Sequence, residues 1–544
     1  MPLSSALTAM LVITLPAVAL AEDANAVASP GFISIMPPLV AIAAALVFRQ
    51  VIPALFLGLW FGAAAVNGGS FDAIWTGLLD TVQIYVVGAL ANPDHAAIIV
   101  FTFTIGGMVG IISRSGGMLG VVDHIAGFAN NARRAQLGTA GLGLAIFFDD
   151  YTNTLVVGNT MRAVTDRLKV SREKLAYLVD STAAPVACIA LVTTWIGYEV
   201  GLIDAAIASI DELREPYAIL LHSIAYSFYP IFAIAFVFMV ASSGRDFGPM
   251  HTAERKAGLA EPNANQNEDA PGPDMSDVGP KAGVKGRARN AILPIGVLLA
   301  AAFSGMFITG EGDSFRDIIG SANSYTALLW ASLLGALTAG ILAVGSRSLD
   351  LGEAVEAWLA GAKAMMMGMI VLILAWALVT TTDALGTADF LVALLGDAVP
   401  VSLLPTLIFV LAAVTAFATG TSWGTMGILM PLVVPLTWAI LSGDGDVDAA
   451  SLPILYSSIA GVLAGAVWGD HCSPISDTTI MSSIASGCDH IAHVRTQMPY
   501  ALLVGAVAIF SGTLPVGFGM PWWLALLIGP AALWIALRIL GRRT

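Results

Sequence analysis

Acidic, hydroxyl and histidine side chains interrupt an apolar part of the chain at residues 469–480, which read GDHCSPISDTTI. The flanking runs 452–467 and 480–484 are apolar enough to lie in lipid. Ionisable groups at that depth cost about 2.5–3.5 kcal/mol each on insertion, so they are functional candidates by default. Pro474 has no N–H and leaves a helix carbonyl unpaired. The stretch therefore predicts a broken transmembrane helix with polar groups at its break.

Three other apolar segments have similar polar interruptions, at residues 148–153 (FDDYTN), 180–185 (DSTAAP) and 417–422 (FATGTS). Unwound backbone at such breaks offers carbonyl oxygens to a small hard cation. Burial favours a protonated carboxyl and a bound cation favours an ionised one, so one site can exchange Na+ for H+. The predicted ion- and proton-binding residues, led by Asp150 and Asp470, are Asp149, Asp150, Thr152, Asn153, Asp180, Ser181, Thr182, Thr419, Thr421, Ser422, Asp470, His471, Ser473, Asp477 and Thr478.

Histidines accompany the acids in this part of the chain. His471 either shuttles protons, because imidazole titrates near neutral pH, or makes a structural hydrogen bond. A zinc site at residues 470–472 is disfavoured, since three consecutive residues in a chain break lack the usual ligand spacing. His490, His493 and Arg495 fall at the predicted cytoplasmic end, and we expect them to form a solvated face.

The composition is typical of a helical membrane protein. Of the 544 residues, 57% are hydrophobic and 11% are charged, with a mean hydropathy of +0.82, whereas soluble domains carry about 25% charged residues. The apolar stretches are too long for the short alternating strands of an outer-membrane barrel. No GxxxxGK[ST] pattern occurs, so the chain is not predicted to be an ATP motor. We predict an all-α polytopic membrane protein that is not an enzyme, needs no cofactor and binds no nucleic acid.

The order of the segments predicts five parts. Residues 1–30 form a signal-peptide-like start, 31–242 a first transmembrane repeat, 243–290 a polar cytoplasmic linker, 291–515 a second, inverted repeat, and 516–544 a C-terminal transmembrane helix. The linker is rich in Pro, Gly, Asn and Asp, and we expect it to be disordered. Residues 175–195 are predicted to be one span, broken at Pro185, and the acidic segment 201–215 an outer loop.

Basic residues predict the orientation, because Lys and Arg gather on the cytoplasmic side of membrane proteins. They cluster at 133–134, 162–174, 281–289, 495 and 542–543. For the first two clusters to share one side, residues 136–161 must enter and return, as a re-entrant hairpin or a pair of short helices. Residues 404–440 are predicted to do the same from outside. We therefore expect an inner (plasma) membrane protein with its N-terminus outside and its linker and C-terminus in the cytoplasm.

The two halves of the chain repeat this pattern. Residues 148–153 align with 417–422, and 180–185 with 469–474. Each half holds five predicted spans, one of which is the Pro-broken helix, and one hairpin. Because five is an odd number, the second copy has the opposite orientation in the membrane. Inverted repeats with broken helices are typical of secondary transporters. The repeats are not identical, because Asp149 and Asp150 of the first align with Ala418 and Thr419 of the second. This difference favours one strong cation site and a second site that is weaker or of another kind.

Four segments resemble the NhaC-type Na+/H+ antiporter family of the ion transporter superfamily: FDDYTNTLVVG at 148–158, DSTAAP at 180–185, GDHCSPISDTTI at 469–480 and CDHIAHVRTQ at 488–497. The resemblance covers roughly residues 36–515. It implies an inverted-repeat fold with two hairpins, a mobile transport domain that moves against a scaffold, and a homodimer. The family is also similar to carriers that exchange Na+ and H+ alongside malate or lactate, so the resemblance leaves the substrate open.

The residues and the resemblance together predict a secondary active transporter, with Na+ and H+ as the transported ions. The alternative is a Na+- or H+-coupled carrier or exchanger of a small carboxylate or an amino acid. An organic anion usually needs a fixed positive partner, and no Arg or Lys falls within the four interruptions, although hydroxyl and N–H groups there can bind carboxylates. An intramembrane aspartyl protease is disfavoured, because its GxGD signature needs a glycine where Val467 stands.

Overall fold

The structure is a computed structural model, and it describes residues 31–543 except 49, 127–128, 209, 211–212, 214, 260–278, 282, 312–321, 388–389, 391–399, 443–446 and 448–450. The signal-peptide-like start therefore lies outside the described residues. The described chain is almost entirely helical, which confirms the predicted fold class. Ten of its helices are long and apolar enough to cross a membrane, and an eleventh span results if a pair bent by 44° counts as one.

The helices in chain order are α1 (Met36–Phe48), α2 (Val51–Val66), α3 (Phe71–Ala91), α4 (Pro93–Arg114), α5 (Gly117–Ala126), α6 (Ala132–Ala145), α7 (Asp150–Arg167), α8 (Arg172–Asp180), α9 (Ala184–Ala187), α10 (Thr194–Ile207), α11 (Pro216–Ile224), α12 (Phe228–Ser243), α13 (Gly248–Leu259), α14 (Arg289–Thr309), α15 (Ser324–Gly345), α16 (Leu351–Ala364), α17 (Met366–Ala384), α18 (Leu404–Thr419), α19 (Ser422–Ser442), α20 (Leu452–Cys472), α21 (Asp477–Ser486), α22 (His490–Gly517) and α23 (Trp522–Leu540). Short 3-10 turns precede α1 and α18, and π-helical turns occur in α3 and α22. The two described strands, β1 (Arg245–Asp246) and β2 (Arg542–Arg543), pair antiparallel.

Four helix interruptions organise the centre of the fold. Break 1 (146–149) separates α6 from α7, break 2 (181–183) follows α8, break 3 (420–421) separates α18 from α19, and break 4 (473–476) separates α20 from α21. The pairs α6–α7 and α18–α19 occupy the segments predicted to enter the membrane and return, and are named hairpin 1 and hairpin 2 below; α18 and α19 are each long and apolar enough to cross a membrane. All four breaks coincide with the polar interruptions seen in the sequence.

Three parts of the fold differ from the sequence prediction. Helix α3 was not predicted as a span, because Asp72 in its first turn and Asp80 near its middle interrupt its apolar sequence, yet it is long and apolar enough to cross a membrane. Residues 175–195 are not one broken span, since non-helical chain after α9 leads into a new helix, α10. The predicted outer loop 201–215 is consequently helical as far as Ile207.

The polar linker is ordered at both of its ends. Helix α13 lies within it, and Glu254 on this helix accepts a hydrogen bond from the Ser171 N–H (2.7 Å). Fully buried Lys174 on α8 forms an ion pair with Asp246 of β1. The expectation of disorder is therefore wrong for these residues, because charged side chains that are unfavourable in an isolated segment find partners on α8.

Close packing between α18 and α20 brings breaks 3 and 4 together. Gly461, Gly465 and Gly469 recur every fourth residue of α20, and each faces a backbone carbonyl of α18. A Cβ atom at Gly461 would lie 3.1 Å from the carbonyl of Pro405. Small residues at this spacing let two membrane helices approach closely.

Candidate functional site

Hairpin 1 is anchored at its tip by Asn153. This side chain is fully buried, and its amide nitrogen donates to the carbonyls of Gly143 (2.7 Å), Ile146 (3.2 Å) and Thr182 (2.9 Å). The first two carbonyls belong to hairpin 1 and the third to break 2, so one side chain joins breaks 1 and 2. Its other polar atom, Oδ1, is buried and receives no hydrogen bond from a described residue.

Two adjacent carboxylates lie at the same tip. Asp149 is 3% exposed and Asp150 is 1% exposed. The Thr194 hydroxyl donates to Oδ1 of Asp149 (3.0 Å), and the Thr194 N–H donates to the carbonyl of Phe148 (2.8 Å). Asp150 begins α7, where the helix dipole favours negative charge. The side chain of Thr152, also predicted as a ligand, lies outside the described residues.

Break 2 begins at Asp180, whose buried carboxylate joins three elements. It accepts hydrogen bonds from Thr479 Oγ1 (3.0 Å), Ser482 Oγ (3.1 Å) and Gln497 Nε2. Three donors suit an ionised carboxylate, which accepts hydrogen bonds and donates none. Since the donors lie on α21 and α22, Asp180 connects break 2 with the helix that follows break 4.

Break 3 depends on the conformational freedom of Gly420. Its φ of +71° ends α18 in the left-handed region, and a Cβ atom here would lie 2.6 Å from the carbonyl of Ile475 in break 4. The Thr421 hydroxyl then accepts the N–H of Gly424 (3.3 Å), and buried Ser422 begins α19. Breaks 3 and 4 are thus in backbone contact.

Break 4 carries a buried acid and a buried histidine. Asp470 is fully buried, and its Oδ2 accepts a hydrogen bond from Thr478 Oγ1 (2.5 Å). The neighbouring ring of His471 pairs through Nδ1 with the Tyr229 hydroxyl (3.0 Å). The side chain of Asp477, another predicted ligand, lies outside the described residues.

The remaining predicted hydroxyls are buried, and three of them bond to backbone. Thr182 and Thr419 each donate to the carbonyl four residues earlier (2.8 Å), and Ser473 donates to the carbonyl of Phe417 (2.8 Å). Ser181 is also buried. A hydroxyl that donates its hydrogen keeps lone pairs with which to bind a cation.

The four breaks lie in one region, named the break cluster below. Asn153 joins breaks 1 and 2, and the Gly420 contact joins breaks 3 and 4. The two pairs are linked by the hydrogen bonds to Asp180 and by packing of α21 along α7, where Gly158 faces Ala485. Sequence reasoning expected these breaks to converge, and the contacts place them together.

Buried acids outnumber buried bases in the described part of the chain. Lys174 is the one buried Lys or Arg among the described residues, and it pairs with Asp246. Glu199 on α10, which was not predicted, is 1% exposed and hydrogen-bonded to the Cys188 thiol. The buried acids of the apolar helices and their breaks are Asp149, Asp150, Asp180, Glu199 and Asp470.

The prediction that His493 lies on a solvated face is wrong. Its ring is fully buried, and Nε2 bonds to Oε1 of Gln497 (3.0 Å), the residue that reaches Asp180. Arg495 is exposed as predicted, and His490 is half-buried. His490, His493 and Gln497 recur at i, i+3 and i+7, which places them on one face of a helix. That spacing was the available signal of burial, but the neighbouring arginine outweighed it.

The described residues include no group of three or more His, Cys, Asp or Glu side chains placed to hold a metal ion. What the break cluster offers is oxygen: single carboxylates, hydroxyls, an amide and unwound backbone carbonyls. This donor set matches the coordination of Na+ in broken-helix transporters.

Known proteins resemble this chain in sequence and in fold. The model of the Na+/H+ antiporter family matches residues 186–517, more than half of the chain. An uncharacterised protein of Haemophilus influenzae is 34% identical over 495 residues, which are 89% of this chain and 91% of that protein. A second H. influenzae protein, described as an uncharacterised Na+/H+ antiporter, is 29% identical over 220 residues, 40% of this chain and 37% of its own.

Two further similarities are a short sequence match and a structural alignment at low identity. A malate-2H+/Na+-lactate antiporter of Bacillus subtilis is 36% identical over 96 residues, 18% of this chain and of that protein. The crystal structure of the YdaH transporter of Alcanivorax borkumensis aligns with a TM-score of 0.57 at 14% identity, over 90% of this chain and 99% of that one. At so low an identity, the structural likeness demonstrates a common fold.

Proposed function

We propose that this protein, which belongs to the Na+/H+ antiporter family and is a multi-pass membrane transporter, exchanges Na+ for H+ at the break cluster. The supporting observation is the excess of buried acid over buried base. Asp149, Asp150, Asp180 and Asp470 are each at most 3% exposed, and the described buried lysine is already paired. A buried charge without a partner costs several kcal/mol. Each ionised carboxylate therefore needs hydrogen-bond donors, a cation or a proton.

The primary Na+ site in this proposal is the tip of hairpin 1. Asp149 and Asp150 supply negative charge, and Asn153 Oδ1 is a buried oxygen that lacks a donor among the described residues. Such an oxygen is costly unless it binds a positive group. Carbonyls of break 1 complete the oxygen donors. A second, different site at break 4 uses Asp470, Thr478 and Ser473, in agreement with the unequal repeats.

Exchange follows from competition for the same carboxylates. With Na+ bound, the carboxylates are ionised, and when Na+ leaves, a proton restores neutrality. The empty, fully ionised cluster is the state of highest electrostatic cost, which disfavours movement of the unloaded site across the membrane. Asp180, which already has three donors, serves in this proposal as a positioning residue that holds breaks 2 and 4 together.

The second candidate function is a coupled carrier of a small carboxylate, which the short similarity to the malate-2H+/Na+-lactate antiporter favours. A carboxylate substrate would enter a cluster that is already acidic and in which no described Lys or Arg is buried, apart from paired Lys174. This charge balance favours a cation as the transported species. Orientation in the inner membrane with a cytoplasmic C-terminus, and assembly as a homodimer, remain part of the proposal.

The test uses purified protein in liposomes that carry a pH gradient and an internal pH dye. We expect Na+ or Li+ to dissipate the gradient. Asp150→Asn and Asp470→Asn should each slow this response at least about tenfold, the equivalent of about 1.4 kcal/mol of lost binding. Glu356→Gln, which removes an exposed acid on α16, is the matched control and should respond as the unmodified protein does.

Size-exclusion profiles and circular dichroism establish that each variant is folded before its transport rate is compared. If no alkali cation changes the internal pH, while labelled lactate, malate or an amino acid accumulates, the antiport proposal is refuted and the carrier function stands. If Asp150→Asn and Asp470→Asn transport at the unmodified rate, the break cluster is not the site of exchange.

A further inference from the structure

A hydrogen-bonded set of side chains runs from Asp180 to the start of α22. Gln497 Nε2 donates to Asp180, and Gln497 Oε1 faces His493 Nε2 (3.0 Å). The other ring nitrogen of His493, Nδ1, lies 2.8 Å from Ser483 Oγ, and Nδ1 of His490 lies 3.1 Å from the same oxygen. One serine hydroxyl on α21 therefore bridges two imidazole rings on α22.

The contacts of the two Nε2 atoms determine which nitrogen of each neutral ring carries the hydrogen. His490 Nε2 lies 2.7 Å from the carbonyl of Pro474, which can only accept. His493 Nε2 faces the Gln497 amide oxygen, and this amide is oriented because its nitrogen donates to Asp180 and to the carbonyl of His471 (3.1 Å). Both Nε2 atoms must therefore be donors. In the neutral rings, both Nδ1 atoms are then acceptors, and both point at Ser483 Oγ.

When both histidines are neutral, there are fewer donor hydrogens around Ser483 Oγ than acceptors. The Ser483 hydroxyl has one hydrogen and three neighbouring acceptors: two Nδ1 atoms and the carbonyl of Thr479 (2.7 Å). One added proton on either Nδ1 creates an N–H that donates to Ser483 Oγ, and the hydroxyl then donates to the other ring. Two added protons would also satisfy the hydrogen bonds, but they place two positive rings on one oxygen, where like charges repel.

We propose that His490, Ser483 and His493 form a proton-binding site that holds one shared proton. His490 is half-buried and His493 is fully buried, so the proton enters at His490. The positive-inside rule predicts this end of α22 to be cytoplasmic. The site is separate from the carboxylates of the break cluster and adds a second place where the protein binds H+.

The surroundings of the pair allow at most one positive charge. Burial disfavours the charged form of the His493 ring, and so does a charge on neighbouring His490, whereas Asp180 acts on His493 as an opposite charge through the Gln497 amide. Lys174, on the neighbouring helix α8, is neutralised by Asp246. The other titratable and charged groups on α21, α22 and the elements packed against them are Asp150, Tyr151, Arg162, Asp166 and Arg167 on α7, Arg172, Glu173 and Tyr177 on α8, Tyr456, Asp470, His471 and Cys472 on α20, Tyr229 on α12, His251, Glu254, Arg255 and Lys256 on α13, Arg538 on α23, Asp477 on α21, and Cys488, Asp489, Arg495 and Tyr500 beside or on α22 itself.

Occupancy of the site is coupled to the break cluster through Asp180. The negative charge of Asp180 attracts a positive charge on the histidine pair, so binding of the proton and the presence of that negative charge stabilise each other by the same free energy. Because Asp180 holds breaks 2 and 4 together, cytoplasmic acidity and the geometry of the break cluster influence each other. This consequence rests on the proposed function, whereas the proton site itself does not.

The experiment counts protons on the two histidines. Protein labelled with ¹⁵N-histidine is studied by NMR, because ring ¹⁵N shifts distinguish the neutral and charged forms, and His490→Gln and His493→Gln assign the signals. Between about pH 8 and about pH 5, the range in which imidazole titrates, we expect the pair to take up one proton in the unmodified protein. Each single variant should also take up one, on the histidine that remains. Asp180→Asn should shift the uptake to lower pH.

The alternatives give different counts. Two independent histidines take up two protons in the unmodified protein and one in each variant, and two structural histidines take up none; either result overturns the shared site. His251→Gln removes a histidine on the neighbouring helix α13 and should leave the count at one. Since the count requires no transport, an absent Na+ response together with a count of one would refute antiport and leave the proton site intact.

Discussion

Replacing Lys174 by Met tests how much the core depends on its buried ion pair. Lys174 is fully buried, and its partner Asp246 also accepts a hydrogen bond from the Tyr500 hydroxyl (2.5 Å). Removing one partner of a buried pair leaves the other charge uncompensated, at about 3–5 kcal/mol. Because Tyr500 continues to donate to Asp246, we expect a loss near the lower limit, about 3 kcal/mol.

A double-mutant cycle isolates the pair. Lys174→Met, Asp246→Asn and the double variant are unfolded with SDS and followed by circular dichroism. The double variant should be more stable than Lys174→Met, with a coupling of about 2 kcal/mol, because it buries no unpaired charge. Lys281→Met breaks an exposed pair with Glu353 and is the matched control, with no measurable change expected. Equal stability of Lys174→Met and the double variant would refute the reasoning.

Two more predictions concern the breaks and the linker. Gly420→Ala should abolish Na+-driven pH changes in liposomes, because φ at Gly420 is +71° and the added Cβ would lie 2.6 Å from the Ile475 carbonyl. The control Gly258→Ala, with open space around the added Cβ, should transport normally. Normal transport by both variants would show that break 3 tolerates a side chain. Glu254→Gln should flatten the dependence of the unfolding midpoint on pH. Burial raises the pKa of Glu254 above that of an unfolded glutamate. The contribution of Glu254 to stability is therefore present below the unfolded pKa and is lost as the pH rises through the folded pKa. Identical pH profiles for Glu254→Gln and the unmodified protein would contradict this assignment.

The breaks could be predicted from the sequence because their residues are unsuited to uninterrupted helix in lipid. Pro474 removes a helix hydrogen bond, and Asp470 is too costly in lipid without a buried polar environment. The acidic and hydroxyl residues of hairpin 1 gave the same signal at Asp149 and Asp150. Local chemistry was sufficient in these places, since the feature that defines each break lies in a few consecutive residues.

The burial of His493 could not be predicted in the same way. Its environment is made by Ser483 and Gln497 and, beyond them, by Asp180 on a distant helix, at a sequence separation of 317 from Gln497. Charge near a helix end usually indicates a solvated surface. Tertiary contacts of this range determine the outcome, and the helical spacing of His490, His493 and Gln497 indicates a shared face without indicating what that face contacts.

The span prediction failed in two places, α3 and residues 175–195. Helix α3 carries Asp72 and Asp80, so its sequence does not resemble a span although it is long and apolar enough to cross a membrane. Helix α10 begins only a few residues after α9 ends, and Thr193 caps it by accepting the N–H groups of Trp195 and Ile196. An apolar run cannot reveal such a restart, because the intervening residues are as hydrophobic as the helices they separate.

The pairing of β1 with β2 has a consequence for biogenesis. The Arg245 guanidinium donates to the Gly541 carbonyl (2.7 Å) across 296 residues of chain, and this contact adjoins the Lys174–Asp246 pair. During synthesis the ribosome must make the entire second half before β1 gains this partner. Until then the first half can insert into the membrane before β1 pairs with β2. A chain that ends within the second half therefore leaves β1 without its partner strand, and the Arg245 guanidinium without the Gly541 carbonyl.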